Sequence, residues 1–137
     1  MTTSRPVERA LLDTSVFIAR ESGRSIDSRS LPDEGYVSVV TVAELHVGVL
    51  AAPNTSIRSQ RLATLEAARG VEALPITSEV ARHWAELRVR LAEEGRRANV
   101  NDLWIAAVAQ ANNMPVVTQD GDFDVIEMVG GPPVIRV

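Results

Sequence analysis

Apolar side chains recur every three or four positions in several segments of the chain, the spacing of helices that bury one face. In residues 78–94 the apolar positions share the helix with charged ones, which predicts one buried and one solvated face. Residues 103–109 are apolar almost all round, so we predict a helix that is buried on every side. With breaks at Pro53 and Gly95, the pattern predicts helices at residues 16–20, 42–49, 57–69, 78–94 and 103–109.

Short runs rich in Val, Ile and Leu lie between the predicted helices and have the length of strands. They occupy residues 9–12, 36–40, 72–76, 115–118 and 134–137. Strands that alternate with helices pair in parallel, because each helix carries the chain back across the sheet. We therefore predict an α/β fold, with one domain over residues 1–137, a mostly parallel five-stranded sheet and helices on both faces.

Five acidic residues follow predicted strands or open predicted helices, at the same edge of the sheet. In open parallel sheets, ligand sites form beyond the carboxyl ends of the strands, so acids distant in sequence converge there. Carboxylates that lie together repel, and a hard cation such as Mg²⁺ or Mn²⁺ relieves that repulsion. Such a cation polarises a phosphate and activates water, so the pattern indicates hydrolysis of a phosphodiester. The five acids are Asp13, Glu44, Asp102, Asp120 and Asp122.

Each of these acids also has a purely structural interpretation. Asp13 and Asp102 stand where a helix N-cap is expected. Glu44 completes a capping box with Thr41, which is the predicted cap of the second helix. Asp120 falls within a predicted turn. A capping carboxylate keeps a second oxygen for a metal, so the two roles are compatible, and their coincidence at one edge favours the metal site.

The composition excludes several other kinds of chemistry. The chain has no cysteine, which rules out disulfides and thiolate metal sites and suits a reducing cytoplasm. All 14 basic residues are arginine, so a P-loop, which needs its lysine, is excluded. The net charge of −4 argues against nucleic-acid binding by charge alone, although acids neutralised by a metal would account for much of it.

Two local features bear on location and substrate. No apolar run approaches the length of a membrane span, and residues 1–9 lack the apolar core of a signal peptide, so we expect a cytoplasmic protein. Arg96 and Arg97 lie just before Asp102 and are candidates for contacts with substrate phosphates. Their alternative is an ordinary solvated loop.

Four segments together resemble the PIN-domain ribonucleases, and most closely the VapC-type toxins of mycobacteria and related actinobacteria. They are LLDTSVFIA at residues 11–19, VTVAEL at 40–45 followed by Gly48 and Val49, NDLWIAA at 101–107 and VTQDGDF at 117–123. Each motif alone is weak, but their order and spacing match over about residues 9–137.

The resemblance implies a parallel five-stranded sheet and a Mg²⁺-dependent endoribonuclease toxin, with Mn²⁺ as a substitute. By position, Asp13 and Asp102 become the principal metal ligands. Glu44 and one of Asp120 or Asp122 complete the acidic set, and we prefer Asp120 because it directly follows the strand. The resemblance also implies a homodimer and a VapB-type antitoxin as partner.

Two other functions stay open at this point. One is a non-catalytic module that binds an antitoxin and co-represses their operon, although the intact set of acids weighs against it. The other is a nuclease of the same fold that acts on DNA, which nothing in the sequence rejects.

Overall fold

The computed structural model describes residues 7–137, which contain five strands and six α-helices, with one or two helices after each of the first four strands. Residues 1–6, which the sequence prediction assigns to the domain, lie outside the described residues. The elements are β1 (Arg9–Leu12), α1 (Thr14–Glu21), β2 (Glu34–Ser38), α2 (Val39–Leu50), α3 (Thr55–Arg69), β3 (Glu72–Leu74), α4 (Ser78–Glu93), α5 (Val100–Ala111), β4 (Val116–Thr118), α6 (Asp124–Met128) and β5 (Val134–Arg136).

The strands form one parallel sheet in the order β3-β2-β1-β4-β5. The central strand β1 pairs with β2 on one side and with β4 on the other, so that Leu11 lies between Tyr36 and Val116. Strand order reverses direction between β1 and β4, which is where open α/β sheets form ligand crevices. The predicted α/β class and the five parallel strands are confirmed.

Helices cover both faces of this sheet. On one side, α4, α5 and α6 pack on the sheet around a core that includes Leu11, Val116 and Phe123. On the other side, α1, α2 and α3 enclose a second core around Phe17 and Leu65. The prediction of a buried helix is confirmed, because residues 105–109 of α5 are fully buried. None of the helices within residues 7–137 combines the length and apolar character that crossing a bilayer requires.

The predicted start of the second helix is wrong. Strand β2 ends at Ser38, whose Oγ accepts a hydrogen bond from the Val40 amide at 2.9 Å and thereby caps α2. Val39 and Val40 are β-branched and suggest a strand, but the Ser38 cap places them in the helix. Thr41 therefore lies inside α2 and forms no capping box with Glu44.

The predicted cap of the buried helix is also corrected. Helix α5 begins at Val100, and its N-cap is Asn99, whose Oδ1 accepts hydrogen bonds from the amides of Asn101 and Asp102. Asp102 thus stands in the first turn, and the structural role expected for its carboxylate is taken by Asn99. This removes the capping explanation for Asp102.

Two smaller differences have local causes. Strand β3 stops at Leu74 and not at residue 76, because Pro75 has no N–H for the ladder. Helix α6 was not predicted. Its five residues span little more than one turn, so apolar positions cannot repeat at helical spacing, and Phe123 provides no side-chain cap.

Candidate active site

A cleft of about 240 Å³ opens at the carboxyl ends of β1 and β4. Four of the five predicted acids line it, each from a different part of the chain, and the charge of the fifth, Asp122, acts on one of them, Asp102. The convergence of distant acids at this edge is what parallel strand order predicts. The lining residues are Asp13, Thr14, Ser15, Ile18, Arg24, Glu44, Asp102 and Asp120.

Asp13 is the most buried of these acids, with only 3% of its surface exposed. It follows β1 and caps α1, and its Oδ2 accepts hydrogen bonds from the Ser15 amide at 3.3 Å and the Thr118 hydroxyl at 3.0 Å. Burial raises the pKa of this carboxyl above its ordinary value, and the hydrogen bonds offset part of the rise. Both bonds go to Oδ2, so the capping role predicted for Asp13 leaves Oδ1 available to a ligand.

Two buried hydroxyls tie the Asp13 carboxylate to the loop after β4. Thr118 donates to Asp13, so the Ser15 hydroxyl, 3.1 Å away, must donate to Thr118. Ser15 in turn accepts from the amide of Gln119, and Thr118 accepts from the amide of Asp120, each at 3.0 Å. The position of the Asp120 backbone relative to Asp13 is thus fixed through Thr118.

We expect Thr118→Val to lower the free energy of unfolding by about 1–3 kcal/mol, because the isosteric change removes one of the two hydrogen bonds to Asp13 and leaves the Ser15 hydroxyl and the Asp120 amide without their acceptor. Chemical denaturation of the purified variant measures this. Thr55→Val, at an exposed position in α3, is the matched control and should change stability little. Equal stability of the two variants would show that the hydroxyl contributes nothing to the network.

Glu44 reaches the cleft from the second turn of α2. Its Oε1 accepts a hydrogen bond from the Thr14 hydroxyl at 2.7 Å, and its Oε2 lies 3.5 Å from the side-chain amide of Asn101. Thr14 also lies 2.9 Å from the hydroxyl of Thr41, which is fully buried. These contacts hold Glu44 against the start of α1 and α5, so the residue that was predicted to close a capping box instead faces the other acids.

Asp102 carries the strongest electrostatic signal of the site. Its pKa is raised to about 7, first because the carboxyl is partly withdrawn from water and then because of the charges of Asp13, Asp122, Glu44 and Asp120. Among residues 7–137, no hydrogen bond or ion pair reaches its side-chain oxygens. A carboxylate surrounded by four others is costly to ionise, and a cation removes that cost.

Two observations point to different residues as the fourth acid of the site, one to Asp120 and one to Asp122. Asp120 lines the cleft, whereas Asp122 is exposed and does not. The charge of Asp122 nevertheless raises the pKa of Asp102 more than that of Asp120 does. We give the lining more weight, because the field of an exposed side chain changes with its rotamer. That Asp120 is the fourth acid of the site stays a prediction, and Asp122 is then a neighbour of the site.

The donor set fits a hard divalent cation in its chemistry, because it consists of carboxylate and hydroxyl oxygens and contains no sulfur or imidazole. As the side chains are oriented, no three acidic or histidine groups within the described part of the chain converge on one point. Mutual repulsion of like charges disfavours a closer approach of these carboxylates without a cation.

Sequence reasoning missed the polar residues between the acids. Thr14, Ser15 and Thr118 stand next to predicted acids in the motifs, and their positions at strand ends were the available signal. The only sequence indication for Arg24 was the glycine before it. Gly23 has a φ of 72° and follows the end of α1, and the Arg24 amide donates a hydrogen bond to the Ala19 carbonyl. That turn brings a positive side chain to the wall of an acidic cleft.

Comparison with known proteins agrees with this fold. The family model described as "PIN domain" matches residues 10–128, which include all five acids. The chain therefore belongs to the PIN-domain family.

Individual relatives identify the type of PIN-domain protein to which the chain belongs. Ribonuclease VapC5 of Mycobacterium tuberculosis is 56% identical, over 93% of this chain and 94% of the relative. Ribonuclease VapC4 of the same organism is 43% identical, over 85% of this chain and 90% of the relative. Within the family, the chain is thus of the VapC type.

A solved structure shares the whole architecture. The crystal structure of VapBC-5 from Mycobacterium tuberculosis, a member of the VapBC family of toxin–antitoxin systems, matches with a TM-score of 0.84 and 51% identity. The match covers 94% of this chain and 97% of that one.

Proposed function

We propose that this protein is a metal-dependent endoribonuclease, the toxin of a toxin–antitoxin pair, that hydrolyses RNA and thereby inhibits translation and growth. The observation that carries the proposal is the position of Asp102, whose pKa is raised to about 7 by burial and four neighbouring acids. Membership in the VapC type supports ribonuclease activity, since the relatives bear that name. Asp13 and Asp102 are the proposed ligands of Mg²⁺ or Mn²⁺.

A divalent cation at this site would supply positive charge that polarises the phosphate and lowers the pKa of water. Asp13 holds a fixed position through Ser15 and Thr118, so it sets the geometry of the site. Glu44 and Asp120 orient the attacking water, with Asp122 at the rim. Arg24 lines the same cleft and offers a positive charge to the phosphate.

The proposed reaction adds one water molecule across a phosphodiester. The water oxygen bonds to phosphorus, the bond from phosphorus to the 3′ oxygen breaks, and that oxygen takes up a proton. The products therefore carry 5′-phosphate and 3′-hydroxyl ends. Sequencing the RNA ends produced after induction would identify both the end chemistry and the target.

The experiment that tests the function compares RNA with DNA. The purified chain should cleave a single-stranded RNA in Mg²⁺ and leave a DNA strand of the same sequence intact. Cleavage of the DNA alone would replace this function with the DNA nuclease considered above. Absence of cleavage of either strand, with an antitoxin still bound, would favour the non-catalytic co-repressor.

We further propose a VapB-type antitoxin as partner and a homodimer as the free form. Support for the partner comes from the VapBC-5 structure, which by its name contains both proteins of a pair. A cytoplasmic location follows from the proposed substrate, since translated RNA is found there.

The homodimer makes a direct prediction. Light scattering of the purified chain at micromolar concentration should report twice the mass of one chain. A monomer at that concentration would contradict the proposed dimer while leaving the nuclease proposal untouched.

A further inference from the structure

A second cavity, of about 680 Å³, lies beside the acidic cleft, where the end of α4 turns into α5. One part of its wall carries the arginines Arg88, Arg96 and Arg97. The other part is apolar and includes Trp84 and Leu91 of α4. A wall with one cationic and one apolar part is complementary to a nucleotide, which has an anionic phosphate and a flat base.

The three arginines are distinguished from their neighbours by the absence of ion pairs. On the same helix, Arg82 and Arg90 both pair with Glu86, on the face that the sequence predicts to be solvated. Within residues 7–137, no salt bridge reaches Arg88, Arg96 or Arg97. In a chain of net charge −4, three such guanidinium groups around one cavity form a local positive field.

The apolar part of the wall is backed by an aromatic pair. Trp84 stacks on Trp104 of α5, with ring centroids 4.8 Å apart and an angle of 18° between the planes. The stack fixes Trp84 in place, and its indole Nε1 is buried without a hydrogen-bond partner among the described residues. A rigid apolar surface of this kind suits a base, which every nucleotide offers irrespective of sequence.

The first turn of α5 contributes side chains both to this cavity and to the acidic cleft. Asp102 faces the acids, while Val100 and Leu103 on either side of it line the cavity. Val100 is 62% exposed, so its side chain is accessible to a ligand in the cavity. Because residues one or two positions apart line the two sites, a strand of nucleic acid with one phosphate at the acids would bring a neighbouring nucleotide towards the cavity.

We propose that this cavity binds a nucleotide of the RNA substrate next to the scissile phosphate. Arg88, Arg96 and Arg97 bind its phosphate groups, and the base lies against the wall formed by Trp84 and Leu91. The inference rests on the proposed ribonuclease function, and it also identifies how a chain of negative net charge holds an anionic substrate.

Binding measured in EDTA, where the proposed cleavage cannot occur, separates this inference from the activity. A short fluorescein-labelled single-stranded RNA should bind the wild type saturably, and the triple variant R88Q/R96Q/R97Q about 10- to 100-fold more weakly. The slope of log affinity against log salt should fall by about 2, since each lost phosphate contact on a single strand contributes about 0.7. The control R82Q removes an arginine of the same helix that is ion-paired and should bind RNA like the wild type.

Tryptophan fluorescence reports occupancy of the cavity itself, because the chain has two tryptophans and both belong to the stack. Bound RNA should quench it along the same binding curve. In the cleavage assay, the triple variant should show a raised KM with kcat near that of the wild type.

Several results would overturn the inference. One is that the triple variant binds RNA as tightly as the wild type, and another is that R82Q loses as much RNA affinity as the triple variant. The inference also fails if the wild type shows no saturable binding, or if RNA binds without changing the tryptophan fluorescence. A change of oligomeric state in the triple variant would instead make the arginine surface an interface between copies. If RNA binds in EDTA but is not cleaved in Mg²⁺, the proposed function fails and not the binding site.

Discussion

Asp13→Asn and Asp102→Asn should each lower RNA cleavage by about 10³-fold or more and leave the fold intact. The reason is the loss of a charged metal ligand, since a bound cation contributes several kcal/mol to the transition state and each 1.36 kcal/mol is about tenfold in rate. Asparagine keeps the shape of the side chain. It is also a good N-cap, so Asn at position 13 still accepts from the Ser15 amide.

The measurement is single-turnover cleavage of one RNA by the wild type and both variants, with circular dichroism as the check on folding. Asp33→Asn, which changes an exposed acid outside the cleft, is the control and should cleave normally. Retained turnover in either cleft variant would remove that residue from the proposed metal site. A variant that fails to fold would indicate a structural role for the carboxylate.

The second large effect concerns stability, and its sign follows from the pKa of Asp102. This carboxyl has a pKa of about 7 in the folded protein, whereas the ordinary pKa of an aspartate is 3.8. Between these values the native state binds more protons than the unfolded state, so the free energy of unfolding falls as the pH rises. The penalty is absent below about pH 4 and complete above about pH 7. Burial of Asp13 acts in the same direction.

Asp102→Asn removes this penalty, and we expect the metal-free variant to be more stable than the wild type above pH 7. The carboxyl is only half-buried, so solvent screening reduces the gain to about 1–2 kcal/mol, or about 4–8 °C in melting temperature. Below pH 4 the difference should vanish. Mg²⁺ binds only the assembled site, so it should raise the melting temperature of the wild type by mass action and leave the variant almost unchanged.

Thermal melting at several pH values, in EDTA and in millimolar Mg²⁺, measures both parts of this expectation. Asp33→Asn again serves as control, because it removes an exposed carboxylate outside the cleft and should leave the response to Mg²⁺ unchanged. If the Asp102 variant melts lower than the wild type in EDTA and still responds fully to Mg²⁺, the carboxylate is not a metal ligand.

The fold and the acids were predictable because both depend on patterns that tertiary packing reinforces. Alternating strands and helices leave few topologies open, and parallel pairing then brings all strand carboxyl ends to one edge. Asp13 and Asp120 follow two neighbouring strands, β1 and β4, so their convergence required only the strand order. The helix around Ile105 was predicted as buried because no polar residue interrupts it.

The residues that sequence reasoning missed depend on contacts between distant segments. Ser38 caps α2 where Thr41 seemed the better candidate, because β-branched residues after Ser38 resemble a strand until the cap is known. The chain of hydroxyls through Ser15 and Thr118 spans more than a hundred residues and has no local pattern. Arg96 and Arg97 were candidates for phosphate contacts from the sequence, but the cavity that they line together with Arg88 depends on the way in which α4 meets α5.

The most direct test of the central claim is removal and return of the metal in a single cleavage reaction. RNA cleavage by the purified wild type should stop in EDTA and resume when excess Mg²⁺ or Mn²⁺ is added, whereas Asp102→Asn should stay inactive throughout. Cleavage that continues at the same rate in EDTA, or that Asp102→Asn performs as well as the wild type, would contradict a metal-dependent ribonuclease built on this acidic cleft.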